Sequence, residues 1–166
     1  MGHSVRSAAA MLSRKIHMPC VIHFMGDAVN VEDLTSLCPV EPSSIFRKGE
    51  PRSSRPNSRI CQTSGINLVV SDAEFDDFET QKSEAAAFLS AHNAALTKIR
   101  QLPGLQQASI DFGIEMRNVV VQSDCFEHEL IDCIAPLRLQ IVLSQYPVAK
   151  KMKRIKQYRR ALRKGA

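Results

Sequence analysis

The stretch Ser109-Ile-Asp-Phe-Gly-Ile-Glu-Met116 decides the fold class. Ile110, Phe112, Ile114 and Met116 alternate with Ser109, Asp111, Gly113 and Glu115, a period of two that describes a strand apolar on one face and wet on the other, as in antiparallel sheets. Arg117-Asn118 then reads as a tight turn into Val119 to Gln122, because Asn tolerates the left-handed conformation that hairpin turns demand. Just upstream the period changes to that of a helix. Ala85, Phe88, Leu89, His92, Ala95, Leu96, Ile99 and Leu102 form one inward stripe, ended by Pro103-Gly104. Lys98 and Arg100 suit the C-terminal end of its dipole, and Glu74, Asp76, Asp77 and Glu79 suit the N-terminal end.

Working outward, Ile66, Leu68 and Val70 alternate with Asn67, Val69 and Ser71 in another strand. Cys20 to Met25, with His23 inside it, is apolar on both faces, as expected of an inner strand covered on both sides. Asn30 is placed to cap a short helix from Val31, with Leu34 and Leu37 inward and Pro39 and Pro42 to stop it. Ile45-Phe46 reads as a short strand before the turn Arg47-Lys48-Gly49-Glu50-Pro51, where Gly49 permits a positive φ. Arg52 to Gly65 is Ser-rich, holds Arg52, Arg55 and Arg59, shows neither period, and reads as an exposed loop. Beyond Gln122, Asp124 with Glu127 forms a capping box for a third helix carrying Phe126, Leu130 and Ile134, closed by Pro136 and followed by a strand from Leu139 to Tyr146. The pattern is α+β: a mixed, mostly antiparallel sheet with helices packed on one face, as in ferredoxin-like sandwiches. It occupies residues 20–147 as a single domain, between a disordered leader at 1–19 and a C-terminal basic helix at 148–166.

The charge is divided along the chain. Of 22 Lys and Arg, nine follow Ala149 with no acid among them, so the other 13 face all 17 acids and the body carries a net of −4. Five cysteines, an odd number with no Cys-x-x-Cys pair, argue against a disulfide scaffold or a zinc ribbon and fit a reducing cytoplasm. No apolar run approaches the roughly 20 residues that span a bilayer.

The strand ending in Gly26-Asp27, the short helix, Glu41-Pro42, Arg47-Lys48-Gly49-Glu50-Pro51, the Asp111-Phe112-Gly113 strand and the closing Ser144-Gln145-Tyr146-Pro147 together resemble a bacterial family, domain of unknown function 4279. The resemblance runs from about Val21 to Pro147. It implies a small cytoplasmic α+β domain that serves as an immunity or interaction protein, and it implies no reaction.

Three constellations carry chemistry of their own. Arg47, Lys48 and Arg52 around Gly49 are placed to hold an anion, with Asp27 and Glu50 orienting a ligand; the plainer reading pairs Arg47 or Arg52 with Glu41 or Glu50 to brace the loop. Cys125, His128 and Asp132 stand at i, i+3 and i+7 of the third helix, but three groups without a fourth ligand leave the expectation at no metal, and no cofactor is called for. His92 and His23 read as rings satisfied by neighbours. No nucleophile elbow, P-loop or dinucleotide fingerprint is present, so an enzyme is not expected. The tail differs in kind: Met152, Ile155, Tyr158 and Leu162 recur at helical steps among Lys150, Lys151, Lys153, Arg154, Lys156, Arg159, Arg160, Arg163 and Lys164. One tyrosine is too little for base stacking, so nucleic acid or another polyanion would be met through its phosphates. The expected function is a non-catalytic binding domain with a protein partner, and the alternative is a nucleic-acid-associated protein using the tail and the Arg52 to Arg59 loop.

Overall fold

The computed structural model describes residues 20–147. The expected leader at 1–19 and the basic helix at 148–166, with all nine of its cations, lie outside the described residues. In chain order the elements are β1 (Cys20–Gly26), α1 (Val31–Leu37), β2 (Ser44–Phe46), β3 (Ser64–Ser71), α2 (Phe78–Arg100), β4 (Gln107–Met116), α3 (His128–Ile134) running into a 3-10 turn at Ala135–Leu137, and β5 (Gln140–Pro147). The fold class is α+β. One five-stranded sheet runs β2-β3-β1-β4-β5, antiparallel except for its β4–β5 pair at one edge.

The alternation seen in the sequence sets the layers. Register places Ile22 between Leu68 and Ile110, and Phe24 between Ile66 and Ala108, so one face of the three inner strands is continuously apolar. That face meets Leu34 of α1, Ala85, Leu89, Leu96 and Ile99 of α2, and Leu130 and Ile134 of α3 in one core. Phe78, Phe112 and Phe126 add a cluster of rings with centroids 5.3–5.8 Å apart; Phe78 meets each of the other two edge-on, which aligns positive ring edges with negative faces. The expected cap holds at α1, and one of the acids expected to suit the α2 dipole caps that helix. Asn30 accepts from the backbone N–H groups of Glu32 and Asp33 at 2.8 and 3.1 Å, and Asp77 accepts from that of Thr80 at 3.2 Å.

Gly26 ends β1 where the α2–β4 connection crosses it. A Cβ on Gly26 would stand 2.0 Å from the Gly104 carbonyl oxygen, so only a residue without one allows the approach. The contact is sealed by the Gln106 N–H donating to Met25 O at 3.1 Å.

Three expectations are corrected. Arg117-Asn118 does not open a hairpin, and Val119 to Gln122 form no strand. The Gln122 side chain takes the hydrogen bonds a partner strand would have made, accepting from Arg117 N–H at 2.9 Å and donating to Glu115 O at 3.2 Å. The neighbour of β4 is β5, parallel to it after the α3 crossover, in the register Ser109↔Gln140 to Met116↔Pro147. The capping box at Asp124 is absent as well: Glu127 is the N-cap of α3 without a side-chain bond, and Asp124 binds the Arg117 guanidinium and Gln122 instead. Finally, β1 is the central strand, but Val21, His23 and Met25 on its second face are only half-buried, and the helices contribute to the core on the other face.

Candidate functional site on the helix-free face of the sheet

The charges around Gly49 bind one another. Arg47 donates to Glu32 at 2.8 Å and Lys48 to Asp27 at 3.3 Å. The hydrogen bond from Arg47 holds the Glu32 carboxyl below the ordinary glutamate range, and Glu32 in turn raises Arg47. Asp27 is further held by Gln106, which accepts from its backbone N–H at 3.2 Å. The partners are thus Glu32 and Asp27 rather than Glu41 or Glu50, and the pairs tie the start of α1 and the end of β1 to the basic turn. Exposed pairs of this kind contribute little stability, because water and salt screen them. They also leave Arg47 and Lys48 engaged.

Glu50 serves through its backbone. Its carbonyl accepts from Cys61 N–H at 2.9 Å, while Gly49 N–H donates to Cys61 O at 2.9 Å and Arg52 N–H to Arg59 O at 2.8 Å. Gly49 has φ +84° and Asn57 φ +60°, left-handed turns of the kind that Gly and Asn accept most readily. The Arg-rich loop is therefore two arms of a hairpin. Its pairing has no period-two signal, because none of residues 52–59 is buried.

This hairpin stands beside the face of the sheet that carries no helix among the described residues. Between them is a cavity of about 480 Å³. Arg52, Arg59 and Ile60 line it from the hairpin, Phe46 from β2, and His23, Asn67 and Ser109 from the three inner strands, with no Asp or Glu among the lining residues. Among the described residues no ion pair reaches Arg52, Arg55 or Arg59. Of the five anion-site residues expected from sequence, only Arg52 reaches this cavity, and Arg59 joins it there.

Through His23 and Asn67 the cavity meets a polar row that crosses all five strands. Asn67 Nδ2 donates to Ser44 Oγ at 2.7 Å, and Asn67 Oδ1 lies 2.7 Å from His23 Nδ1. Since the Asn67 amide already uses its N–H on Ser44, its oxygen accepts, which makes His23 Nδ1 the donor and turns Nε2 toward β4. His23 Nε2 stands 3.9 Å from Asp111 Oδ2, which accepts from Ser144 Oγ at 2.9 Å. The second oxygen, Asp111 Oδ1, is buried with no hydrogen-bond partner among the described residues. Ser144 is bonded to the carboxylate and not to the imidazole, so no nucleophile–base pair is formed. The row presents oriented donors and acceptors, which is recognition chemistry. His23 is satisfied at Nδ1, and His92 lies against the Phe88 ring, centroids 4.6 Å apart.

Cys125 precedes α3, so it does not share a helix face with His128 and Asp132. Among the described residues no three His, Cys, Asp or Glu side chains form a group able to hold a metal ion. Cys20 is fully buried, and burial followed by the Asp111 charge pushes its thiol far up. Gln81 and Lys82, polar residues on the stripe through Ala85 and Leu89, are buried as well. Gln81 Nε2 donates to Gly113 O at 2.8 Å and Glu74 O at 3.1 Å, joining α2 to β4. Lys82, 4% exposed, reaches Glu127 at 2.6 Å, Glu79 at 3.0 Å and Cys125 O at 3.0 Å. Burial alone would lower its pKa, but the hydrogen bonds it donates to Glu127 and Glu79 outweigh it and raise the pKa overall. It pins the 117–127 segment to the helix.

Compared with protein-family models, curated proteins and solved structures, the chain matches none of them. Among the described residues no helix is long and apolar enough to cross a membrane.

Proposed function

We propose that the protein is a non-catalytic binding domain whose helix-free face takes an anionic, partly apolar segment of a partner protein, in the manner of an immunity-type protein that masks its target. The observation that carries this reading is the contrast between paired and unpaired cations: Arg47 and Lys48 are neutralised by Glu32 and Asp27, while Arg52 and Arg59 face a cavity with no carboxylate in its lining. Phe46, Ile60 and Val142 supply the apolar wall, and His23, Asn67 and Ser109 the polar floor. A volume near 480 Å³ falls within the roughly 300–1,000 Å³ of sites that enclose a small ligand or a few side chains. Membership in the bacterial family of domain of unknown function 4279 and a cytoplasmic location belong to the same proposal, on the turn motifs and the unpaired cysteines of the sequence.

The test is isothermal titration of the full chain with short peptides ending in Glu or Asp beside an aromatic residue. The double variant Arg52→Ala/Arg59→Ala is expected to weaken binding at least tenfold, since a hydrogen bond to a charged group contributes about 1.5–3 kcal/mol. Arg47→Ala should leave it nearly unchanged. Equal loss in both variants, or no peptide binding, removes the cavity from the proposal. The three arginines of the hairpin and the nine cations of residues 150–164 favour a second reading, polyanion binding. It would show as affinity for oligo-dT that falls steeply between roughly 50 and 200 mM salt, with a shallower salt slope in the Arg52→Ala/Arg59→Ala variant.

A further inference from the structure

The sheet has two edges that differ. At one, β2 is three residues long; at the other, β5 runs for eight, Gln140–Pro147, with no Lys, Arg, Asp or Glu in the strand. Natural edge strands are protected by being short, or by charges, bulges or prolines. β2 is protected by its length. β5 carries only the terminal Pro147, and its register with β4 runs from Ser109↔Gln140 to Met116↔Pro147 without a bulge. Ile141, Val142 and Tyr146 on it are 37–39% exposed. Met116 and Val119 to Val121, beyond the end of β4 where Tyr146 and Pro147 lie, are also exposed.

We infer that β5 is the interface of a homodimer in which two copies pair their β5 strands antiparallel about a twofold axis, joining two five-stranded sheets into one. The edge itself specifies the kind of partner, because a row of backbone N–H and C=O groups at strand spacing is complemented by another extended strand. Two features point to a second copy. The strand is uncharged, so bringing it against itself meets no like-charge repulsion across the pair. Antiparallel self-pairing is also isologous and closes at two copies. A twofold axis perpendicular to the sheet keeps both helix layers on one side. Ile141, on the Ile110 side of β4, then extends the apolar layer across the join, and Val142 and Tyr146 extend the other face. The cavity and the join meet at Val142, while Arg52 and Arg59 line the cavity from the hairpin, away from the β5 edge.

The experiment is sedimentation velocity of the full chain from about 1 to 200 µM, with backbone hydrogen exchange followed over the same range. Wild type is expected to move from monomer to dimer, with protection of β5 amides rising at least tenfold over the range. Ile141→Lys/Gln145→Lys, which sets like charges on the edge without touching the cavity lining, should remain monomeric while its circular dichroism matches wild type. If that variant fails to fold, the concentration dependence of β5 exchange in wild type decides alone. A wild-type monomer throughout overturns the inference, as does a folded charge variant that still dimerises. Protection of β5 at every concentration in a monomer also overturns it, assigning the edge to another part of the same chain.

Discussion

Replacing Gly26 by Ala tests the close crossing of β1 by the α2–β4 connection. The new methyl would lie 2.0 Å from Gly104 O, 3.0 Å from Gly104 C and 3.1 Å from Gln106 N. All three atoms are backbone, so no side chain can swing aside and the connection itself must lift. Forced overpacking costs about 1–3 kcal/mol. Lifting the connection also strains the Gln106 N–H to Met25 O bond and the Asp27 N–H to Gln106 bond, each with a net contribution of about 1 kcal/mol. Loss of glycine's freedom in the unfolded chain returns about 0.4–1 kcal/mol. The balance is a destabilisation of about 3 kcal/mol. An unfolding entropy of about 2.1 cal/mol/K per residue across the body amounts to roughly 0.27 kcal/mol/K, which converts that balance to a fall in Tm of ~11 °C by calorimetry. Gly49→Ala is the internal control: its φ is +84° but no atom lies within 4 Å of the added methyl, so it suffers left-handed strain alone. That strain of about 1 kcal/mol predicts a fall of ~4 °C. A Gly26→Ala protein melting within ~3 °C of wild type, or below the Gly49 variant by nothing, would refute the steric reasoning.

Three further outcomes follow from the described contacts. Lys82 lowers the Glu127 pKa, so this pair stabilises the fold above the ordinary glutamate value of 4.5 and its contribution is lost as pH falls through the lowered folded value. The raised Lys82 pKa places the alkaline loss above the ordinary lysine value of 10.5; Lys82→Met should lower Tm at pH 7 and flatten the acid limb of a Tm-against-pH profile, and an unchanged limb would assign acid sensitivity elsewhere. Iodoacetamide with peptide mass spectrometry should label exposed Cys125 first and buried Cys20 last, the latter only when the core opens; early labelling of Cys20 would contradict its place in the core. Ending the chain at Val148 should hold the body's Tm to within a few degrees, since β5 closes the sheet at Pro147, while affinity for oligo-dT disappears; a truncated protein that unfolds would make the basic segment part of the core.

What the sequence determined by itself were the features decided by neighbours along the chain. Ile110, Phe112 and Ile114 had to share a strand face because side chains in a strand alternate. Ala85, Leu89, Leu96 and Ile99 had to share a helix face for the corresponding reason at 3.6 residues per turn, and Asn30 could cap only the helix that starts beside it. These local rules were enough for an α+β sandwich with its helices on one face. Tertiary structure decided everything that depends on which distant group arrives first. Gln122 folded back onto Glu115 and Arg117, which left β4 to pair in parallel with β5. Glu32 and Asp27 captured Arg47 and Lys48, which moved the unpaired cations of the candidate site to Arg52 and Arg59. Lys82 reached Glu127 across 45 residues of chain, and a row of small polar groups from five strands met on a face that has no helix. The physical reason is common to all of these. Periodicity and capping are interactions over a few bonds, whereas strand partners and ion pairs are choices among many chemically equivalent groups, and only the packed chain brings one of them within reach.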